Sequence, residues 1–213
     1  MNDFKISRAA FSEFFWQQVG MGRSLPYGLG VELEELREQA DYNTGSLSDE
    51  DVYDLSALVR YFEPTVVCEI GTFIGRSTHT IADNMKAGVI WTCDGSNALD
   101  LPAPENKNVT IRQFKKTSST EMFAKAMTER QKFDLFYIDG RLSQRDIELM
   151  AECVDFTRAV IVLDDFEGVE KGVANASMLL SSVAADFTLI YPKPERKTAV
   201  LLPLARIRFV RQV

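Results

Sequence analysis

Short apolar runs rich in β-branched residues alternate along the chain with longer stretches of helical periodicity. The runs are Thr65 to Ile70, Val89 to Asp94, Val109 to Phe114, Phe133 to Asp139, Ala159 to Asp164, Phe187 to Tyr191 and Thr198 to Leu202. Strands joined by helical crossovers are the signature of a mostly parallel sheet. The pattern therefore predicts an α/β fold, a doubly wound Rossmann-like sheet of seven strands. The last two runs are separated by Pro192, Pro194 and a charged turn, too short for a helix, which predicts a C-terminal antiparallel hairpin and a mixed sheet.

Upstream, Phe11, Phe14, Phe15 and Val19 fall on one side of a helical segment, and a second amphipathic helix is predicted from about Ser48 to Phe62. Its start is marked by Ser48-Asp49-Glu50-Asp51: the hydroxyl can cap free backbone N–H groups, and the acids suit the positive helix end. Pro64 stops it. The glycine-rich stretch from Gly20 to Gly30 is the candidate hinge, so the chain divides into an N-terminal helical extension, residues 1–40, and a main domain, residues 41–213. Phe11, Phe14, Phe15 and Trp16 read as core or as a subunit contact, which keeps a homo-oligomer open, with a substrate lid as the other reading.

Charge narrows the partners. The 24 basic and 31 acidic residues leave a net charge of −7, a sign that phosphate backbones and anionic membrane surfaces repel. Neither nucleic acid nor membrane is expected as a partner, and Arg206, Arg208 and Arg211 read as a solvated face on the last strand or its extension. Of 213 residues, 46% are hydrophobic and 26% charged, the usage of a folded soluble domain. Cys68, Cys93 and Cys153 are odd in number and lack C-x-x-C spacing, so buried free thiols are expected rather than a disulfide framework or a zinc site. No leader-like segment opens the chain and no run approaches a membrane span; a reducing cytoplasm is the expected location.

The most informative segment is Val66-Val67-Cys68-Glu69-Ile70-Gly71-Thr72-Phe73-Ile74-Gly75-Arg76-Ser77-Thr78, an apolar strand that runs through an acid and a glycine turn into a helix. Gly71 and Gly75 let backbone approach a ligand closely, and a helix beginning near Ser77 offers unpaired N–H groups. A strand-turn-helix without a ligand is the plainer alternative. The two glycines have three residues between them and no third glycine, unlike the G-x-G-x-x-G dinucleotide loop, and no Walker-type loop is present.

Glu69-Ile70-Gly71-Thr72 with Gly75 and Ser77 resembles the first motif of class I S-adenosylmethionine-dependent methyltransferases. Within that class, Phe133-Asp134-Leu135-Phe136-Tyr137-Ile138-Asp139-Gly140 and Val160-Ile161-Val162-Leu163-Asp164-Asp165-Phe166 resemble the catechol O-methyltransferase-like group of small-molecule and sugar O-methyltransferases. Tyr42-Asn43-Thr44-Gly45-Ser46-Leu47 resembles the segment that covers the methionine end of the cofactor, so the likeness spans roughly residues 42–202. It implies S-adenosylmethionine as cofactor, contacted by Ser46, Leu47, Glu69, Gly71, Thr72, Phe73, Gly75, Ser77, Asp94, Ser119 and Asp139. Asp94 would take both ribose hydroxyls, a task for two acceptor oxygens; Ser119 and Thr120 lie where such enzymes contact adenine.

Asp139, Asp164 and Asp165 end the fourth and fifth strands, and strand ends meet at the carboxyl edge of an open parallel sheet. Such a cluster is unfavourable unless protonated or neutralised. The resemblance implies a metal, Mg²⁺, held by Asp139, Asp164 and Asp165, with asparagine common where this chain has Asp165; in the other reading Asp165 faces solvent and Asp139 caps a turn. A metal-bound hydroxyl would lose its proton readily, and Asp139 is the catalytic candidate. The group's basic lysine, three residues after the aspartate matching Asp139, is Leu142 here, so the base is missing or elsewhere. Arg141 and Arg145 stay charged and read as surface residues or as holders of an acidic substrate, His79 as a packing residue, and Lys115 and Lys116 as a solvated pair.

The expected function is S-adenosylmethionine-dependent O-methylation of a small hydroxylated molecule, with or without Mg²⁺. A non-catalytic binding or assembly protein of the same fold and a nicotinamide-dependent oxidoreductase stay open.

Overall fold

In the fourth strand Leu135 and Tyr137 face one side of the sheet and Phe136 and Ile138 the other, and all four are fully buried. A strand that is apolar on both faces must be covered on both, which is how a doubly wound sheet is built. The computed structural model describes residues 8–20, 47–96, 99–155, 158–167, 169–184, 186–204 and 206. Its elements in chain order are α1 (Arg8–Gly20), α2 (Asp49–Phe62), β1 (Val66–Ile70), α3 (Arg76–Asn84), β2 (Gly88–Asp94), β3 (Val109–Lys115), α4 (Ser119–Thr128), β4 (Leu135–Ile138), α5 (Gln144–Cys153), β5 (Val160–Leu163), α6 (Gly172–Leu180), β6 (Phe187–Ile190) and β7 (Ala199–Pro203).

The strand order is β3-β2-β1-β4-β5-β7-β6, parallel as far as β5, with β7 antiparallel to both β5 and β6. The mixed seven-stranded sheet with its C-terminal hairpin is thus as the hydrophobic pattern predicts, with β7 inserted beside β5 and β6 at the edge. Phe15, Leu55, Leu58 and Ile81 of α1, α2 and α3 cover the Tyr137 face. Met122, Phe123, Ile147, Met150 and Leu179 of α4, α5 and α6 cover the Phe136 face. The order turns back between β1 and β4, so the crevice at their carboxyl ends is the switch point where ligands bind in such sheets.

Local chemistry sets the helix ends. Ser48 Oγ accepts the Asp51 N–H at 3.1 Å and caps α2, whose first turn holds Asp49, Glu50 and Asp51; Glu63 closes it in a left-handed conformation just before Pro64. In α1, Phe15 and Trp16 are core: Phe15 stacks on Phe62 at 6.2 Å, and the Trp16 indole donates to the Tyr191 carbonyl at 2.8 Å. Most of the expected hinge, from residue 21 on, lies outside the described residues. β7 ends at Pro203, so Arg206 lies on the extension beyond it, half-buried, with its guanidinium 5.3 Å from the Phe62 ring; Arg208 and Arg211 lie outside the described residues. All three cysteines are buried and unbridged, as expected. Among the described residues no helix is long and apolar enough to cross a membrane.

Candidate active site

The turn after β1 is built for close approach. Gly71 takes a φ of +103° and its N–H donates to the Cys93 carbonyl at 3.0 Å; Phe73, at φ +42°, donates its N–H to Asp94 Oδ2 at 2.9 Å. A Cβ on Gly71 would meet the Asp139 backbone at 3.3 Å, which shows how tightly the ends of β1 and β4 converge. Gly75, at φ +85°, begins α3 with no side-chain cap, so the first-turn N–H groups of the helix receive no side-chain acceptor from it.

Glu69 and Ser77 are brought together, but with each other. Glu69 is fully buried, accepting the Ser77 hydroxyl on Oε1 and the Thr78 hydroxyl on Oε2, both at 2.5 Å. Burial pushes its carboxyl up to about 7 against the opposing pull of these hydroxyls. Both oxygens are thus engaged in fastening the start of α3 to β1. Asp94, at the end of β2, is half-buried. Besides the Phe73 N–H it accepts the Ser96 N–H and hydroxyl on Oδ1, both at 2.9 Å.

A narrow cleft of about 10 Å³ runs between the turn and Leu47, lined by Gly71, Thr72, Phe73, Ile74, Arg76, Ser77 and Asp139. Buried Arg76 donates to the Leu47 carbonyl and to Asp49, latching Leu47 over the turn. A space of that size holds about one water. Ser46 lies outside the described residues.

At the other side of the switch point the structure brings Asp139, Asp164 and Asp165, the expected metal ligands, to one edge, as the strand pattern requires, and sets a lysine among them. The Lys171 ammonium, at the start of α6, donates to Asp139 Oδ1 and to Asp165 Oδ2, the latter at 2.7 Å. Asp164 is buried and accepts the Tyr137 hydroxyl on Oδ2 at 3.0 Å. Among the described residues no group of three or more His, Cys, Asp or Glu side chains could hold a metal ion. A hard divalent cation takes about six oxygen ligands, and these carboxylates already serve an ammonium and a phenol, so the residues present do not fit Mg²⁺. Burial, then repulsion from Asp164, pushes the Asp139 carboxyl up to about 7, with the Lys171 ammonium opposing. Burial pulls the Lys171 ammonium down, but its hydrogen bonds to Asp139 and Asp165 outweigh that and its pKa is raised.

The remaining candidates divide plainly. Ser119 opens α4, which Ser118 caps, and Thr120 donates to Asp146 at 2.7 Å. Leu142 is buried in the core, its N–H donating to the Asn175 side chain at 3.0 Å. Arg141 and Arg145 form exposed pairs with Glu170 and Glu148, Lys115 pairs with Asp100, and Lys116 is exposed. His79 is buried in α3. Sequence reasoning missed Lys171, Tyr137 and Asn175; the one signal available was that three acids at one edge require a cation.

No protein family model matches the chain, and no curated protein matches it. Solved structures do. The S-adenosylhomocysteine-bound methyltransferase PaMTH1 of Podospora anserina superposes with a TM-score of 0.59 at 11% identity over 95% of this chain and 99% of that one. An O-methyltransferase from Bacillus cereus in complex with S-adenosylhomocysteine gives 0.55 at 17% identity, covering 90% and 99%. The O-methyltransferase TomG of Streptomyces achromogenes, involved in tomaymycin synthesis and in complex with S-adenosylmethionine, gives 0.55 at 16%, covering 90% and 98%. Across most of its length, then, the chain shares the α/β fold of these methyltransferases.

Proposed function

We propose that this protein is an S-adenosylmethionine-dependent O-methyltransferase acting on a small hydroxylated molecule in a reducing cytoplasm. The observation that carries the reading is Asp94: a carboxylate at the end of β2, one oxygen held by the Phe73 N–H of the glycine turn and the other by the exposed Ser96. A carboxylate held in place in this way is suited to the two hydroxyls of a ribose, which would take over the acceptor positions Ser96 now uses. Gly71, Thr72, Phe73, Gly75 and Ser77 would then lie along the ligand, Ser46 and Leu47 would cover its methionine end, and Ser119 would lie by the adenine. Glu69 acts indirectly, by fixing α3 against the turn.

When bound, S-adenosylmethionine supplies an activated methyl group on a positively charged sulfur. Asp139, whose backbone borders Gly71 and whose carboxyl is pushed up to about 7 by burial and by Asp164, would accept the proton that the acceptor hydroxyl gives up. Mg²⁺ has no part in this reading, since the carboxylates that would hold it are engaged by Lys171 and Tyr137.

The test is transfer of labelled methyl from S-adenosylmethionine to a panel of catechols, sugars and other small alcohols and phenols. Labelled product that disappears in Asp139→Asn supports the reading. Binding of S-adenosylhomocysteine without transfer to any acceptor replaces it with the non-catalytic alternative, and saturable binding of NAD instead would favour the oxidoreductase.

A further inference from the structure

We infer that Lys171 is the resident cation of this site: its ammonium, delivered by the start of α6, neutralises Asp139 and Asp165 and makes the protein independent of divalent metal. The inference rests on the methyltransferase reading only for what the site does with that charge. The geometry stands without it.

Three carboxylates gathered at the ends of β4 and β5 repel one another unless a positive charge or a proton intervenes. The structure supplies the charge from within the chain. Lys171 contacts both Asp139 and Asp165, and the third carboxylate, Asp164, is turned to the Tyr137 hydroxyl. Lys197 is paired with Glu167 at 2.7 Å and Arg141 with Glu170, so neither basic neighbour takes the place of Lys171.

The main chain holds the lysine there. Gly172 is pressed so closely against the turn after β5 that a Cβ would meet the Asp164 carbonyl at 2.7 Å and the Asp165 carbonyl at 2.9 Å. Asp165 itself sits at a φ of +52°, a left-handed conformation that a non-glycine residue holds only where its surroundings impose it. One turn further along α6, Asn175 accepts the Leu142 N–H and donates to the Gly140 carbonyl at 2.8 Å. The same helix therefore fixes the segment that follows Asp139 and aims the ammonium at Asp139. Leu142 is buried, and positive charge reaches the edge from α6 rather than from the segment after β4. In the methyltransferase reading, a fixed ammonium beside the acceptor site holds the two carboxylates in place and favours negative charge developing on the acceptor oxygen. Lys171 is then a positioning residue that acts through Asp139 and Asp165.

The test uses Mn²⁺ as probe and the full chain. Calorimetric titration with Mn²⁺ is compared for the wild type, Asp139→Asn, Lys171→Met, Lys171→Gln, Lys171→Arg and the double variant Lys171→Met/Asp139→Asn, each also titrated with S-adenosylhomocysteine. The expected result is no saturable Mn²⁺ uptake by wild type or Lys171→Arg. Saturable Mn²⁺ uptake on the two carboxylates that Lys171 releases, Asp139 and Asp165, at least about tenfold tighter than any by wild type, is expected in Lys171→Met or Lys171→Gln, since removal of one nearby positive charge changes cation affinity by that order. The double variant should lose the new site. Mn²⁺ uptake by the wild type that disappears in Asp139→Asn, or none in either neutral variant while both remain folded by circular dichroism, overturns the inference. Should both neutral variants unfold, the wild-type titration decides alone, with Asp139-dependent Mn²⁺ uptake overturning the inference and its absence supporting it. Failure of the wild type to bind S-adenosylhomocysteine would overturn the methyltransferase reading alone and leave the Mn²⁺ result standing.

Discussion

At the ends of β1 and β2, Glu69 and Asp94 are satisfied by hydroxyls and backbone N–H groups. At the ends of β4 and β5, Asp139 and Asp165 share an ammonium. The two halves of one carboxyl edge thus solve the same problem with different donors. Neutral donors orient a carboxylate without supplying a countercharge, which suits the proposed site for ligand hydroxyls. A cation cancels charge, which suits a site where a neutral acceptor must approach several acids at once. The first half is poised for hydrogen bonding and the second for electrostatic balance.

Breaking the first half should cost most. Asp94→Ala removes a charged acceptor, and a hydrogen bond to such a group is worth about 1.5–3 kcal/mol, so S-adenosylhomocysteine should bind roughly ten- to a hundredfold more weakly by calorimetry. Unchanged affinity would remove the ribose assignment. Gly71→Ala strikes the seam between the halves. At φ +103° with the Asp139 backbone 3.3 Å from the new Cβ, it should lower unfolding stability by roughly 1–3 kcal/mol in urea titration. A neutral outcome would mean that the turn has room to spare.

Tyr137→Phe tests the second half by leaving Asp164 Oδ2 without its buried donor, at a cost of about 1–2 kcal/mol in thermal unfolding. Stability equal to wild type would show that the phenol is dispensable there. The subtlest test is a pH slope. The Glu69 carboxyl in the folded protein is raised to about 7 from 4.5, so the folded state binds a proton more readily than the unfolded chain does. Its contribution is fully present below about pH 4.5 and lost as pH rises through about 7. Unfolding titrations at pH 5 and pH 7.5 should show wild type losing stability relative to Glu69→Gln across that interval; parallel behaviour of the two proteins would contradict it.

The first half was also the more legible in sequence, for a physical reason. Glu69, Gly71, Gly75 and Ser77 lie on one continuous strand-turn-helix, so their spacing in the chain is their spacing in space. Ser48 before its acidic turn likewise fixed the start of α2. Strand existence followed from apolar runs buried on both faces, while β4 spans only Leu135–Ile138, although the Asp134 and Asp139 N–H groups still donate to the Val66 and Ile70 carbonyls at 2.9 Å. The second half depends on a lysine 32 positions from Asp139, brought back by β5 and the turn into α6. A lone lysine beside Glu170 carries no periodic or motif signal, and only the unbalanced charge of Asp139, Asp164 and Asp165 pointed to a cation. The Phe62 ring beside Arg206 was likewise illegible, because it comes from α2, far away in sequence.

The central claim is that the turn from Gly71 to Gly75, with Asp94, is a site for an S-adenosyl ligand and that the edge beside it needs no metal. It is met most directly by calorimetric titration of the wild-type chain with S-adenosylhomocysteine, once with Mg²⁺ and once with chelator. Saturable binding of equal affinity in both is the predicted result. Absence of binding in both, or binding that appears only with Mg²⁺, would contradict the account.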